Sequence, residues 1–219
     1  MPDEAVLFDF DGTLCPGDSI VPWLRFCIHA GAAPRWQWLP AAGGYLRQRL
    51  NPARTVSAKE TTLSFIQGRT EAEFTPLASR FMAECIAPRI HPEARQLMDE
   101  LHRDGMKIVV ISASPDLYMR CLKEILPVDG LLATVCETDG NGVYTGRITS
   151  NCRGGEKVRR WEAWNRDRGW RPARAYGDSI RDLPMLSLAE TPFLVNPDAA
   201  LCKALPQACI LRWPNNSVR

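Results

Sequence analysis

The sequence predicts an α/β fold: a doubly wound, mostly parallel sheet carrying an inserted all-helical domain. Three observations predict it. Short apolar runs that end in polar residues recur along the chain, and each suits a strand buried on both faces. Helical periodicities separate most of those runs, as in a sheet covered by helices on both sides. A block at 16–85 breaks the alternation with helical patterning alone. The expected division is a core of residues 1–15 and 86–219 and a helical cap of residues 16–85.

The elements follow in order. Ala5-Val6-Leu7-Phe8-Asp9 reads as a buried strand. Ile20, Trp23, Leu24, Cys27 and Ile28 mark one apolar helix face, and Phe74, Leu77, Ala78, Phe81, Met82 and Cys85 mark a second. Thr70 and Glu73 form a capping box before that second helix. Between the two lie a Trp/Pro/Gly-rich stretch, Pro34 to Tyr45, and a weaker helical stretch near 55–67. Ala94, Leu97, Met98 and Leu101 predict a helix stopped by Gly105. Lys107 to Ser112 is a β-branched strand, and Ser114-Pro115-Asp116 opens a helix. Residues 131–149 read as a hairpin turning at Asp139-Gly140-Asn141-Gly142. A helix from Lys157 to about Arg168, a strand 173–178, a helix near 181–190, a strand 193–195, a helix 198–205 and a strand 209–211 complete the chain.

Composition bounds the function. In 219 residues, 45% are hydrophobic and 24% charged, as in a globular protein able to bury its own core. Lys plus Arg number 27 against 25 Asp plus Glu, so a net charge of +2 gives no case for nucleic acid as partner. No apolar run reaches the roughly 18 residues of a spanning helix. The acidic start Met1-Pro2-Asp3-Glu4 is unlike a secretory leader, so a cytoplasmic location is expected, without membrane contact. Eight cysteines without a C-x-x-C pair read as free, mostly buried thiols. His29, His91 and His102 are scattered and receive no role.

Ligands in open α/β sheets bind beyond the carboxyl ends of the strands. Here those ends run into Asp9-Phe10-Asp11-Gly12-Thr13, into Ser112-Ala113-Ser114, and into Gly177-Asp178 with Asp182 four residues on; Lys157 opens the preceding helix. Carboxylates, a helix start with hydroxyls, and one ammonium are the parts of a Mg²⁺-assisted phosphoryl-transfer site. Asp9 is placed to attack phosphorus, and Asp11 to protonate the leaving oxygen and then activate water. Mg²⁺ at Asp9 and Asp178, with Lys157, offsets repulsion of a phosphate dianion. Ser112 and the amides near Ala113 and Ser114 form an anion site, although Ser114 before Pro115 also reads as a plain helix cap.

Asp9-Phe10-Asp11-Gly12-Thr13-Leu14, Ser112, Lys157 and Gly177-Asp178-Ser179-Ile180-Arg181-Asp182 resemble, in order, the four motifs of the haloacid dehalogenase superfamily. The helical insert and Asn151-Cys152-Arg153-Gly154-Gly155-Glu156-Lys157 resemble its phosphoserine-phosphatase-like subgroup. The resemblance implies a Rossmann-like core with a helical cap and phosphomonoester hydrolysis through an aspartyl phosphate on Asp9. It implies Mg²⁺ on the Asp9 side chain, the Asp11 carbonyl and Asp178, with Asp182 in support, and Ser112, Ala113 and Lys157 around the phosphoryl group. The implied partner is a small phosphorylated metabolite, phosphoserine- or histidinol-phosphate-like, bound by a monomer or homodimer.

Departures from the subgroup bear on the substrate. Asp18 stands where it carries Glu, and Arg181 where it carries Asn; Arg153 is a further cation. These three are candidate substrate contacts, with helix capping and surface ion pairing as their simpler readings. Alternatives are a phosphomutase of the same fold, a phospholipid head-group phosphatase using Trp36 to Arg49, and a non-catalytic binding module. Pro and Gly in that stretch argue against a continuous amphipathic helix. Packing is the expected role of Trp23, Trp36 and Trp38. Hinges are expected at Pro16-Gly17 and Ala87-Pro88.

Overall fold

The structure is a computed structural model; it describes residues 3–50 and 55–214, except the side chains of Tyr45, 47–50 and 55–57. Six strands form one sheet: β1 (Glu4–Phe8), β2 (Lys107–Pro115), β3 (Gly130–Thr134), β6 (Arg171–Gly177), β7 (Thr191–Val195) and β8 (Cys209–Leu211). Their order is β3-β2-β1-β6-β7-β8, and every pair is parallel. The period-2 geometry of β1 explains the layers. Val6 and Phe8 join one apolar cluster with Ala94, Met98 and Leu101 of helix α5 (Pro92–Arg103). Ala5 and Leu7 join the other, with Trp161 of α7 (Gly155–Asn165) and Met185 and Leu186 of α8 (Leu183–Leu186). α6 (Asp116–Met119) and α9 (Ala199–Ala204) complete the core helices.

Between β1 and β2 stand α1 (Ile20–His29), α2 (Trp38–Leu50), α3 (Thr55–Leu63) and α4 (Glu71–Phe81). The Thr70–Glu73 capping box forms as predicted. α4 runs into a π turn at Met82–Ile86 and a 3-10 turn at Ala87–Arg89, the second expected hinge. Trp23 is fully buried, its ring centroid 5.1 Å from Phe81 and 5.4 Å from Tyr118. Thus the packing role expected of Trp23 holds, whereas Trp36 and Trp38 are exposed. The interruption expected in the Pro/Gly-rich stretch is confined to its start, a 3-10 turn at Arg35–Gln37, after which α2 runs unbroken from Trp38 to Leu50. Pro40 lies in the first turn of α2, where its missing N–H costs no helical bond. A Cβ on Gly44 would lie 3.3 Å from the Ala58 Cα, so the glycine lets α2 and α3 pack closely.

Three further boundaries differ from expectation. The segment read as one long hairpin is β3, a parallel edge strand, followed by the shorter hairpin of β4 (Cys136–Thr138) and β5 (Tyr144–Ile148). β2 continues through Ser114 to Pro115, so the following α6 is a single turn. The helix expected near 181–190 is a 3-10 turn at Ile180–Asp182 plus α8. All eight cysteines are free. No helix among the described residues is long and apolar enough to cross a membrane.

Candidate active site

The site is built where β1 and β6 run side by side. Phe8 pairs with Tyr176, and the Asp9 N–H donates to the Tyr176 carbonyl at 2.9 Å, so Asp9 and Asp178 leave adjacent strands together. Gly12 permits their approach: its φ is +90°, and a Cβ there would lie 2.4 Å from an Asp178 carboxylate oxygen. The buried Thr13 hydroxyl lies 3.4 Å from Asp9 Oδ2 and 3.5 Å from Asp178 Oδ1. Ser179 caps the turn that carries Asp182, whose Oδ2 accepts from the Ser179 amide at 3.2 Å and hydroxyl at 3.0 Å.

Lys157, on the first turn of α7, joins the carboxylates. Its Nζ donates to Asp9 Oδ1 at 2.5 Å and to Asp182 Oδ1 at 2.7 Å, and all three side chains are buried. Burial alone would lower the Lys157 pKa, but Asp9 and Asp182 outweigh it and hold the ammonium above its ordinary value. Burial and the Asp182 charge push Asp9 well above the usual carboxylate range against the pull of Lys157. The same two causes raise Asp178 to about 7. Asp182 is lowered: burial opposes this, and the charge and hydrogen bond of Lys157 prevail.

Asp11 belongs to a separate network. Its Oδ1 accepts from the Ser19 N–H at 3.0 Å and its Oδ2 from the Ser114 hydroxyl. The Ser19 hydroxyl in turn lies 2.8 Å from that of Ser114 and 2.9 Å from that of Tyr118. Burial and the nearby Asp18 charge raise Asp11 to about 6, against the bonds from Ser114 and Ser19.

One oxygen each from Asp9, Asp178 and Asp182 lies within 4.8 Å of the others. An all-carboxylate donor set suits a hard divalent cation. The Gly12 cradle, too narrow for a Cβ, brings Asp178 to that position, so the residues present fit a metal. A cavity of about 600 Å³ opens over this cluster, lined by both the sheet rim and α1 and α3.

Residues 6–187 match the family model described as haloacid dehalogenase-like hydrolase. The chain belongs to that family. As a haloacid dehalogenase-type hydrolase it is similar to a histidinol-phosphatase of Neisseria meningitidis, 29% identical over 216 residues, which cover 95% of this chain and 96% of that one. It is also similar to the phosphoserine phosphatase SerB1 of Mycobacterium tuberculosis, 31% identical over 210 residues, 90% of this chain and 66% of that one. A solved Bordetella pertussis structure of unknown function shares the fold, with a TM-score of 0.83, 24% identity, and coverage of 96% of this chain and 99% of that one. Together with these phosphatase relatives, family membership makes the protein an enzyme of the phosphatase type.

The cavity gathers most residues anticipated from sequence. Asp9, Asp11, Ala113, Lys157, Asp178 and Asp182 line the cavity, as do Asp18, Arg153 and Arg181. Asp18, one residue before the Ser19 N-cap of α1, also accepts from the Ile20 N–H at 2.8 Å. Ser112 is fully buried behind the rim, where its hydroxyl accepts from the Ser114 N–H at 3.0 Å. Ser114 is not a helix cap; it lies in β2 and holds Asp11. Cys15, near Asp9 in sequence, is buried, which pushes its thiol up to about 12 and keeps it protonated.

Lys59 was not anticipated. It projects from α3 into the cavity and donates to the Ala113 carbonyl and to Asn151 Oδ1 at 2.7 Å. Burial lowers its pKa to about 8, although Asp18 and Asp11 draw it upward. The one usable sequence signal was its place on the predicted helix at 55–67, whose facing is set only by tertiary packing.

Proposed function

We propose that the protein is a Mg²⁺-dependent phosphomonoesterase that works through an aspartyl phosphate on a small phosphorylated metabolite. The observation that carries this reading is the junction of Asp9 with Asp178, Asp182 and Lys157 at one rim of the sheet. Asp9 attacks phosphorus while the ester P–O bond breaks, and Asp11 gives its proton to the leaving oxygen. Asp11 then takes a proton from water, which attacks phosphorus and breaks the Asp9–phosphorus bond to release phosphate. A carboxyl that titrates near neutrality is suited to both steps, and the Ser19 and Ser114 contacts hold it toward the cavity. Mg²⁺ would be held by Asp9, the Asp11 carbonyl and Asp178 and would supply positive charge toward the phosphoryl oxygens. Lys157 positions Asp9 and neutralises the dianion; Ser112 supports the Ser114 amide beside Ala113, which forms the anion site.

Residues 16–85 act as a cap over this core. Its cavity wall supplies Lys59 and Asp18, and the opposite side supplies Arg153 and Arg181. Groups of both signs around the leaving-group space support a zwitterionic or aminated phosphomonoester, a class that includes the phosphoserine and histidinol phosphate of the relatives' names. Release of phosphate from an aryl phosphate with Mg²⁺, its loss on chelation, and its loss in Asp9→Asn are the expected results. Equal turnover by Asp9→Asn would remove the assigned nucleophile. A panel of phosphorylated amines, amino acids and sugars then ranks substrates; turnover restricted to sugar phosphates, requiring a bisphosphate activator, would favour a mutase.

A further inference from the structure

Helix α2 turns Ala41 and Gly44 inward and Leu39 and Leu46 outward. Ala41 and Gly44 are buried, with Gly44 against Ala58 of α3. The opposite face carries Leu39, Ala42 and Leu46 of α2, with Trp36 in the 3-10 turn Arg35–Gln37 that leads into it, at a spacing of three or four residues. Trp36, Leu39 and Leu46 are 63%, 76% and 62% exposed. A helix apolar on both sides is ordinarily buried on both, and an exposed apolar patch of this kind marks a contact surface.

Charge identifies the partner. From Ser19 to Ala58 the sequence has no aspartate or glutamate, yet it has Arg25, Arg35, Arg47, Arg49 and Arg54, and Arg25 and Arg35 are exposed. The whole chain carries only +2, so positive charge is concentrated in this stretch of the sequence. Two copies meeting through α2 would bring like charges together. An anionic lipid surface complements both features: tryptophan and leucine enter the boundary between headgroups and acyl chains, and arginines meet headgroup phosphates.

We infer that the outer face of α2 docks the protein on an anionic lipid surface, with the helix lying in the membrane plane. This departs from the sequence expectation of no membrane contact, which rested on the want of a spanning helix and on a predicted break in the stretch that forms α2. α3 lies between this face and the cavity, so docking leaves the active site's own residues free.

The test is co-sedimentation of the full chain with phosphatidylcholine vesicles and with vesicles containing phosphatidylglycerol. At least tenfold greater partition onto the anionic vesicles, weakened by salt, is expected. The triple variant Trp36→Ser, Leu39→Ser, Leu46→Ser should lose that partition while its circular dichroism and aryl phosphate turnover match the parent. Should the triple variant fail to fold, Leu39→Asp alone, read by the same two controls, carries the test. No partition onto either vesicle, or equal partition onto both, overturns the inference. So does a dimer in sedimentation equilibrium that the variant dissolves, which would assign the face to self-association. Vesicle binding needs no catalysis and aryl phosphate turnover needs no vesicle, so this inference and the proposed reaction fail separately.

Discussion

The Lys157 ammonium lies 2.5 Å from Asp9 Oδ1, although 148 residues separate them. With Asp182 as its second partner at 2.7 Å, Lys157 is the cation around which the buried acids of β1 and β6 close. Removing it leaves those acids together without their counter-charge. Breaking one side of a buried ion pair typically costs about 3–5 kcal/mol. Lys157→Ala, measured by urea denaturation in metal-free buffer, should lose stability of that order. A loss under about 1 kcal/mol would mean the carboxylates relax apart and the cluster is not tightly held.

Asp178 yields a pH prediction in metal-free buffer. Its folded pKa stands at about 7, against an ordinary 3.8, because burial and Asp182 disfavour its charge. Between those values the folded state holds more protons than the unfolded one, so this group's contribution to stability falls as pH rises. Thermal melts from pH 4.5 to 7.5 should show that decline reduced in Asp178→Asn. Added Mg²⁺ should raise the parent's melting temperature and leave Asp178→Asn much less affected. An equal metal response in both proteins would place the cation elsewhere.

Lys59 gives the complementary case, since burial lowers its pKa to about 8. Above that pH the ammonium loses its proton and with it any attraction for a phosphorylated substrate. For a poor-affinity anionic substrate, kcat/KM should fall with a limb near pH 8. Lys59→Met should raise KM about tenfold and lack that limb. A limb that persists in the variant assigns it to another group. Between pH 8 and the ordinary lysine value the unfolded chain binds the extra proton, so the same group makes stability rise with pH there.

The Asp11 carboxylate faces Ser19 and Ser114, apart from the carboxylates of Asp9, Asp178 and Asp182, so the proposed reaction keeps proton transfer separate from the carboxylate cluster. Asp11→Asn should therefore lower kcat by about 10²- to 10⁴-fold for an alkyl phosphate. Phosphorylation by an activated aryl phosphate should suffer far less, because its leaving group needs no proton. Equal losses for both leaving groups in single-turnover phosphorylation would deny Asp11 the acid role.

What the sequence disclosed and what it withheld follow from the range of the forces involved. β1 and the Thr70–Glu73 capping box are local patterns, and both form where predicted. Asp9 and Asp178 were legible because each follows directly from a strand end, with Asp11 two residues beyond Asp9, and sheets present such ends on one rim. Gly130–Thr134 was misread as a hairpin arm, since a short apolar strand does not encode whether its neighbour runs parallel. Ser114 before Pro115 suits a helix start as well as a strand end, and pairing of Pro115 with Thr134 decides for the strand. Lys59 could not be assigned, because its contacts with Ala113 and Asn151 join segments 54 and 92 residues distant. The stretch Trp36 to Arg49 offered a membrane-facing alternative in sequence, but nothing in composition tells which side of the helix is left uncovered.

The most direct measurement is acid quench of the enzyme during turnover of an aryl phosphate with Mg²⁺, followed by peptide mapping. One phosphoryl group on Asp9, formed at a rate competent for turnover and absent in Asp9→Asn, is the predicted result. Burst release of the aryl alcohol with the phosphoryl group on any other residue, or continued turnover by Asp9→Asn, would contradict the account.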